Sequence, residues 1–314
     1  MVRARLVLGA LLAVLVVVAA LGMAGCGSSG ASGTGASGTG ASANGADGGA
    51  GERPVIVATT PILGAIVRDA VRDAAEVRVL MPNGGDPHEW RPSAKDVAEL
   101  QSADLVVQNG LGLEQGLQEA IAQARDDGVP VFTATDHVAV RPGDPHFWTD
   151  PSQAAKVMAA LPAAVRGATG ADIAASAAKA GKRLAALDAE IANDFAKVPE
   201  TARNVVTGHE SLGYLAARYG LALTGAVTPS LSSQGQVSAA HLKQLEDAMS
   251  RAGVRVVFTE TGLPNAVADA VVAQAGATLV QLGTEALPDD GTYATYIREL
   301  TRRMSSALAN NTGG

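Results

Sequence analysis

The chain has 314 residues, 47% hydrophobic and 3% aromatic, with 24 basic against 31 acidic side chains and a formal charge of −7. An acidic balance without a basic stripe excludes the electrostatic footprint of a nucleic-acid binder. The single cysteine, Cys26, excludes an intramolecular disulfide and a thiolate metal site.

Arg3 and Arg5 precede an apolar run from Leu6 to Leu21, followed by small residues and the sole cysteine in Met23-Ala24-Gly25-Cys26. A positive flank, a short apolar segment and a small-residue exit predict a cleaved export signal over residues 1–25 rather than a membrane span. The tetrapeptide resembles the bacterial lipobox, with methionine where leucine is more usual, and that resemblance makes Cys26 the expected lipidation site. Losing Arg3 and Arg5 with the signal moves the formal charge from −7 to −9. Residues 26–52 are almost wholly Gly, Ala, Ser and Thr after the cysteine, a composition that cannot bury a core and reads as a flexible tether. Lipid and tether together would hold a soluble body at the outer face of the cell membrane.

From residue 53 the pattern alternates strands and helices. Val55 to Thr59 is a strand, Ile62 to Val71 has helical spacing, and Val77 to Met81 is a strand ending in the turn residues Pro82, Asn83, Gly84 and Gly85. Ser93-Ala94-Lys95-Asp96 forms a capping box that opens a helix toward Ser102. Leu105 to Gln108 and Val129 to Thr133 are further strands, and Asp150-Pro151 is a helix start with a capping side chain and proline at the first position.

Residues 171–199 break the alternation. Ala171 to Lys197 carries Ala, Leu, Lys, Arg, Asp and Glu without proline, which predicts one long helix. Beyond Pro199 the alternation resumes: strand Asn204 to Thr207, helix Glu210 to Tyr219, strand Val254 to Thr259, a helix from Asn265, strand Thr278 to Leu282, and a last helix from Thr292 to about Leu308. The expected fold is α/β: two Rossmann-like lobes, 53–170 and 200–310, joined by one long rigid helix that limits their closure.

The motif that carries chemistry occurs twice. Asp86-Pro87-His88-Glu89-Trp90 and Asp144-Pro145-His146-Phe147-Trp148 use both tryptophans and two of the five histidines. Proline stiffens the approach to each histidine. The aspartate can close an Asx turn or accept a ring N–H, and the tryptophan can lower the local dielectric. His209 also lies between a strand and a helix, and Glu285 follows strand Thr278 to Leu282. Strand carboxyl ends frame the ligand crevice of open α/β sheets, so these residues can converge there, two from each lobe, on one metal ion. Both pentapeptides precede the long helix, so the repeat does not represent two duplicated lobes.

In this order and spacing the pieces resemble a known family, the cluster A-I (ZnuA/TroA/PsaA-like) metal-binding lipoproteins of bacterial ABC importers, from about Pro54 to Leu308. The resemblance is carried by Ala58-Thr59-Thr60-Pro61, Gly85-Asp86-Pro87-His88-Glu89, Ala103 to Gly110 with Gly112-Leu113-Glu114, and Asp144-Pro145-His146-Phe147-Trp148. It continues through Gly208-His209-Glu210-Ser211-Leu212-Gly213-Tyr214-Leu215 and Gly291-Thr292-Tyr293. It implies a metal held between the lobes by His88, His146, His209 and Glu285, where the family often has aspartate at the last position. Glu260 matches an acidic position expected to support rather than ligate. It also implies an extracytoplasmic monomer that passes its ion to a membrane permease with its ATPase, metal binding drawing the second lobe against the first.

Three imidazoles and one carboxylate suit four-coordinate Zn²⁺ better than Mn²⁺, which prefers more oxygen; Mn²⁺ or iron is the alternative cargo. Ligation needs neutral imidazoles, so affinity is expected to fall below about pH 6 to 7. A metal-dependent surface adhesin on the same scaffold is a further reading. A zinc hydrolase is not expected: His209-Glu210 could open a His-Glu-x-x-His helix, but Gly213 stands where its second histidine belongs. His137 is read as a solvated loop residue, His241 as an exposed helical side chain, and Tyr214 and Tyr219 as packing residues.

Overall fold

Among the described residues of this computed structural model, 53–261 and 265–310, eight strands form two four-stranded sheets of the same order. Cys26, the export signal and the tether lie outside the described residues. The first sheet holds β1 (Val55–Ala58), β2 (Glu76–Val79), β3 (Leu105–Gln108) and β4 (Val131–Thr133) in the order β2-β1-β3-β4, all parallel. The second holds β5 (Asn204–Thr207), β6 (Ala222–Ala226), β7 (Val256–Glu260) and β8 (Thr278–Leu282) in the order β6-β5-β7-β8, again all parallel. In each sheet the order reverses beside the first strand, and the crevice beyond the carboxyl ends at such a point is where doubly wound sheets take ligands.

Parallel strands need crossovers, and helices supply them: α1 (Pro61–Val71), α2 (Ala94–Gln101) and α3 (Gln118–Asp126) in the first half, then α4 (Pro151–Thr169) and α5 (Ala174–Ala196). The second half carries α6 (Gly213–Tyr219), α7 (Ala239–Ala252), α8 (Ala266–Ala275) and α9 (Tyr293–Asn310). Both caps read from the sequence are present: Ser93 and Asp96 complete a reciprocal capping box, and Asp150 accepts from Ser152 N. Thr60, not singled out by the sequence reading, also caps its helix, Oγ1 accepting from Leu63 N ahead of Pro61. No helix among the described residues is long and apolar enough to cross a membrane.

The long helix is α5, 23 residues or about 35 Å. It buries Ala177, Ala180, Leu184, Leu187, Ile191 and Phe195, a stripe at helical spacing. It packs against α4, α1, α9 and α6, so it is a central beam within the body rather than a free-standing rod. Arg218 and the Tyr219 hydroxyl both donate to the buried Asp188 carboxylate, and Tyr219 stacks on Phe195, which pins α6 to α5.

One apolar cluster runs from Ile56 and Leu105 of the first sheet through α1, α4 and α5 to Val205, Phe258 and Leu282 of the second. Parting the lobes would expose this shared core at about 25 cal/mol per Å², a packing cost that acts alongside the long helix. Two elements lack a counterpart in the sequence reading, α3 and the edge strand β6. Strand Val254 to Thr259 is displaced toward the crevice, ending at Glu260.

Candidate metal centre

Two of the three histidines reach the crevice by one local device and the third by another. Asp86 Oδ1 accepts from His88 N at 2.9 Å, and Asp144 Oδ1 accepts from His146 N at 2.9 Å, so both copies of the pentapeptide close the same Asx turn. Only the second aspartate also meets the ring, Asp144 Oδ1 lying 2.9 Å from His146 Nδ1. The free oxygen of Asp86 instead accepts from Ser233 Oγ at 2.5 Å, a bond to the other lobe. His209 leaves β5 through Gly208, where any side chain would collide with the Glu260 carboxylate. Glu260, the last residue of β7, places Oε1 3.1 Å from His209 Nδ1 and accepts from Ser211 Oγ at 3.1 Å, the supporting place expected of it.

The two tryptophans part company as well. Trp148 sits beside His146, ring centroids 5.2 Å apart, and covers the site as expected. Trp90 does not. Its N–H donates to Asp86 O, closing a helical turn that carries the indole onto the apolar cluster of Val57, Leu80 and Leu100.

The three imidazoles meet. Ring centroids are 5.6 Å apart for His88 and His146, 5.7 Å for His88 and His209, and 5.2 Å for His146 and His209. One nitrogen from each lies within 4.8 Å of the others, and the rings are 4%, 0% and 3% exposed. Both ring nitrogens of His88 are buried without a hydrogen-bond partner. Leaving such groups unsatisfied costs about 1–3 kcal/mol each, a cost that a bound cation offsets. His146 Nε2 and His209 Nε2 are 3.3 Å apart. Two nitrogens on a tetrahedral zinc at about 2.05 Å are also about 3.3 Å apart.

Burial keeps His88 and His146 in their ligating form. Burial, then repulsion from His146 and His209, pushes His88 down to about 4, against a weaker upward pull from Asp86. Burial likewise lowers His146, opposed by its hydrogen bond to Asp144. The metal-free fold therefore binds the His88 proton more weakly than the unfolded chain does. The His88 contribution to stability is complete above about pH 6.5 and is lost as pH falls toward about 4, by about 3 kcal/mol. Denaturant titrations of the stripped parent and of His88→Ala from about pH 8 to about pH 4 isolate it from the opposing slope of Glu285, and an unchanged difference between the two proteins across that window would contradict a neutral, buried His88.

Glu285 is near the trio but not within it. It follows β8 and lines a cavity of about 170 Å³ with Asp86, Glu89, His209, Ser233 and Glu260. Its Oε1 is shut from solvent without a partner. Burial, with the negative charges of Asp86 and Glu260, holds its carboxyl well above the ordinary range. The loop that carries it is tied to the first lobe through Trp148 and Asn83 and to α9 through Tyr296. Thr284 O accepts from Trp148 Nε1 at 3.1 Å and from the Tyr296 hydroxyl at 2.9 Å, while Asn83 exchanges two hydrogen bonds with the backbone of Leu287.

The remaining histidines stand apart. His137 is exposed and stacks on Phe132. His241 departs from the exposed position expected of it: it is half-buried, and its Nε2 donates to Ala226 O at 2.9 Å, because the first turn of α7 packs on β6. Tyr214 and Tyr219 pack as expected, both buried. Gly213 lies against the side chains of Asp144 and Arg141 of the first lobe, which a side chain there would have to displace. Sequence reasoning gave no role to the buried Thr59, Asn109 and Glu114, although all three lie in segments that carry the family resemblance.

Comparison with known proteins gives the same outline. The family model described as zinc-uptake complex component A, periplasmic (ZnuA), matches residues 56–307. The chain is 29% identical over 310 residues to a high-affinity zinc uptake system protein ZnuA of Paracoccus denitrificans, covering 83% of this chain and 93% of that protein. It is 27% identical over 268 residues to a manganese-binding lipoprotein MntA of Halalkalibacterium halodurans, covering 82% and 89%. The fold also superposes on the periplasmic zinc-binding protein TroA of Treponema pallidum with a TM-score of 0.71 at 23% identity, covering 82% of this chain and 99% of that one. Because the family match takes in both sheets and all three converging histidines, the chain belongs to the zinc-uptake component A family, whose members are solute-binding receptors rather than enzymes.

Proposed function

We propose that the chain is the extracytoplasmic solute-binding lipoprotein of an ABC importer, that it captures Zn²⁺ through His88, His146, His209 and Glu285, and that it delivers the ion to a membrane permease with its ATPase. In this reading residues 1–25 are removed on export, Cys26 carries the lipid, and residues 26–52 tether the receptor beside the permease. The observation that carries it is the buried trio, with two imidazole nitrogens already at the spacing of a tetrahedral zinc edge.

The names of the relatives point to both zinc and manganese, and the proposed donor set is what supports zinc. Three neutral imidazoles beside a single carboxylate favour zinc, while manganese favours oxygen-rich sites of higher coordination. Stripped protein offered equal Zn²⁺ and Mn²⁺ and then analysed for elements is expected to retain a single zinc per chain. Retention of manganese in excess of zinc would overturn the assignment of the cargo.

A further inference from the structure

The buried carboxylate Glu114 has no part in the centre as described, yet its surroundings lead to it. Glu114 Oε1 accepts from Thr59 Oγ1 at 2.7 Å and from Asn109 N at 2.6 Å, and Oε2 accepts from Gly110 N at 3.2 Å. These bonds knot the loops that leave β1 and β3. Gly110 adopts φ +97° against the side chains of Thr133 and Thr135, a place only glycine fits. Asn109 is thereby fixed on every side: its N–H binds Glu114, its carbonyl accepts from Thr135 N at 3.0 Å, and its Nδ2 donates to Pro145 O at 3.0 Å.

Pro145 O belongs to the peptide that ends at His146 N. The N–H of that same peptide donates to Asp144 Oδ1 at 2.9 Å. One peptide plane is thus gripped at both polar ends, its carbonyl by Asn109 from the loop after β3 and by Phe147 N at 2.9 Å, its N–H by Asp144 from the same turn. The orientation of that plane sets the direction in which the His146 side chain leaves the backbone. His146 has the least freedom of the three histidines: it is 0% exposed, bound to Asp144 through Nδ1, and 3.3 Å from His209 Nε2.

We infer that Asn109, oriented by Glu114, is a positioning residue for His146, holding the Pro145–His146 peptide so that the imidazole meets the metal. The inference rests on the reading of the trio as a metal site. Without the amide the peptide keeps only bonds from its own turn, to Phe147 N and Asp144, loses its tie to the loop after β3, and the ring must be re-aimed when an ion binds. Losing such an outer support typically weakens metal affinity about 10- to 100-fold.

The test uses the exported body of the chain, stripped of metal, and Asn109→Ala. Zinc affinity is measured by competition with a chelating dye, and Co²⁺ loading gives a visible spectrum that reports ligand geometry. The expected result is a loss of at least about tenfold with displaced Co²⁺ bands. The loss should be non-additive with His146→Ala and additive with His88→Ala, since coupling energy identifies groups that act together. Ile121→Val, in the apolar cluster on α3, serves as the comparison: it lowers the melting temperature without moving either metal readout. Should Asn109→Ala not fold, Asn109→Asp keeps the volume, cannot donate to Pro145 O, and is held to the same criteria. Zinc affinity within about twofold of the parent, unmoved Co²⁺ bands, or equal additivity with His88 and His146 would each overturn the positioning role. Failure of the parent protein to bind any divalent ion would sink the metal-site reading itself, and this inference with it.

Discussion

Zinc affinity is expected to fall about a hundredfold or more when His88, His146 or His209 is individually replaced by alanine. A structural zinc contributes on the order of 12 kcal/mol of binding. Shared among four ligands, that leaves about 3 kcal/mol for each, or about a hundredfold. The fold should tolerate the loss of His88 best, because the metal-free protein gains little from that ring, whereas the His146 ring also meets the buried Asp144. Both nitrogens of His88 are buried without partners, so His88→Ala removes unsatisfied groups worth about 1–3 kcal/mol each while leaving a small cavity. Competition titration against a chelator, beside melting curves of the stripped proteins, separates the two effects. A His88→Ala protein that held zinc within about threefold of the parent would take His88 out of the coordination shell.

Glu285→Gln is expected to have opposite effects on stability and binding. In the metal-free protein burial and the charges of Asp86 and Glu260 hold the Glu285 carboxyl above its ordinary 4.5. Between that value and its raised one the folded chain keeps a proton that the unfolded chain releases, so stability falls as pH rises through the window. Glutamine removes the conflict. The stripped variant should therefore melt higher than the parent at neutral pH, with the difference closing as pH drops toward about 4.5. Zinc binding should weaken by about tenfold or more, because a neutral amide is a poor ligand in place of a carboxylate. At a pH within that window the parent should also release the Glu285 proton on zinc uptake, visible as a buffer-dependent heat of binding that the variant lacks. Equal affinity and equal proton release in the two proteins would leave Glu285 a bystander in the neighbouring cavity.

Much of this architecture is legible in the sequence because its signals are local. Thr60 before Pro61, Ser93 with Asp96, and Asp150 before Pro151 each begin a helix by satisfying its own first N–H groups, whatever packs against it. The stripe of α5 is likewise a property of one segment. β6 is not: Ala222-Leu223-Thr224-Gly225-Ala226 has weak strand propensity, and it is extended because β5 pairs with it, through a register shift at Val205 and Val206. The trio was readable as three histidines beyond strand ends. What distinguishes the two pentapeptides was not, since Trp90 and Trp148 share a local sequence frame and differ in the surfaces that receive them. The knot of Thr59, Asn109 and Glu114 joins residues up to 55 positions apart, and only the assembled sheet brings them together.

Apolar packing that passes unbroken from one sheet to the other has a mechanical corollary for unloading the ion. Swinging one half away from the other would strip Phe258, Leu282 and their neighbours from the common interior all at once. Peeling back the strap after β8 asks far less: the two bonds between Asn83 and Leu287, and those that Trp148 and Tyr296 make to Thr284. Such a receptor would behave as a rigid casing with one removable clip, and whatever collects the cargo need only work at that corner.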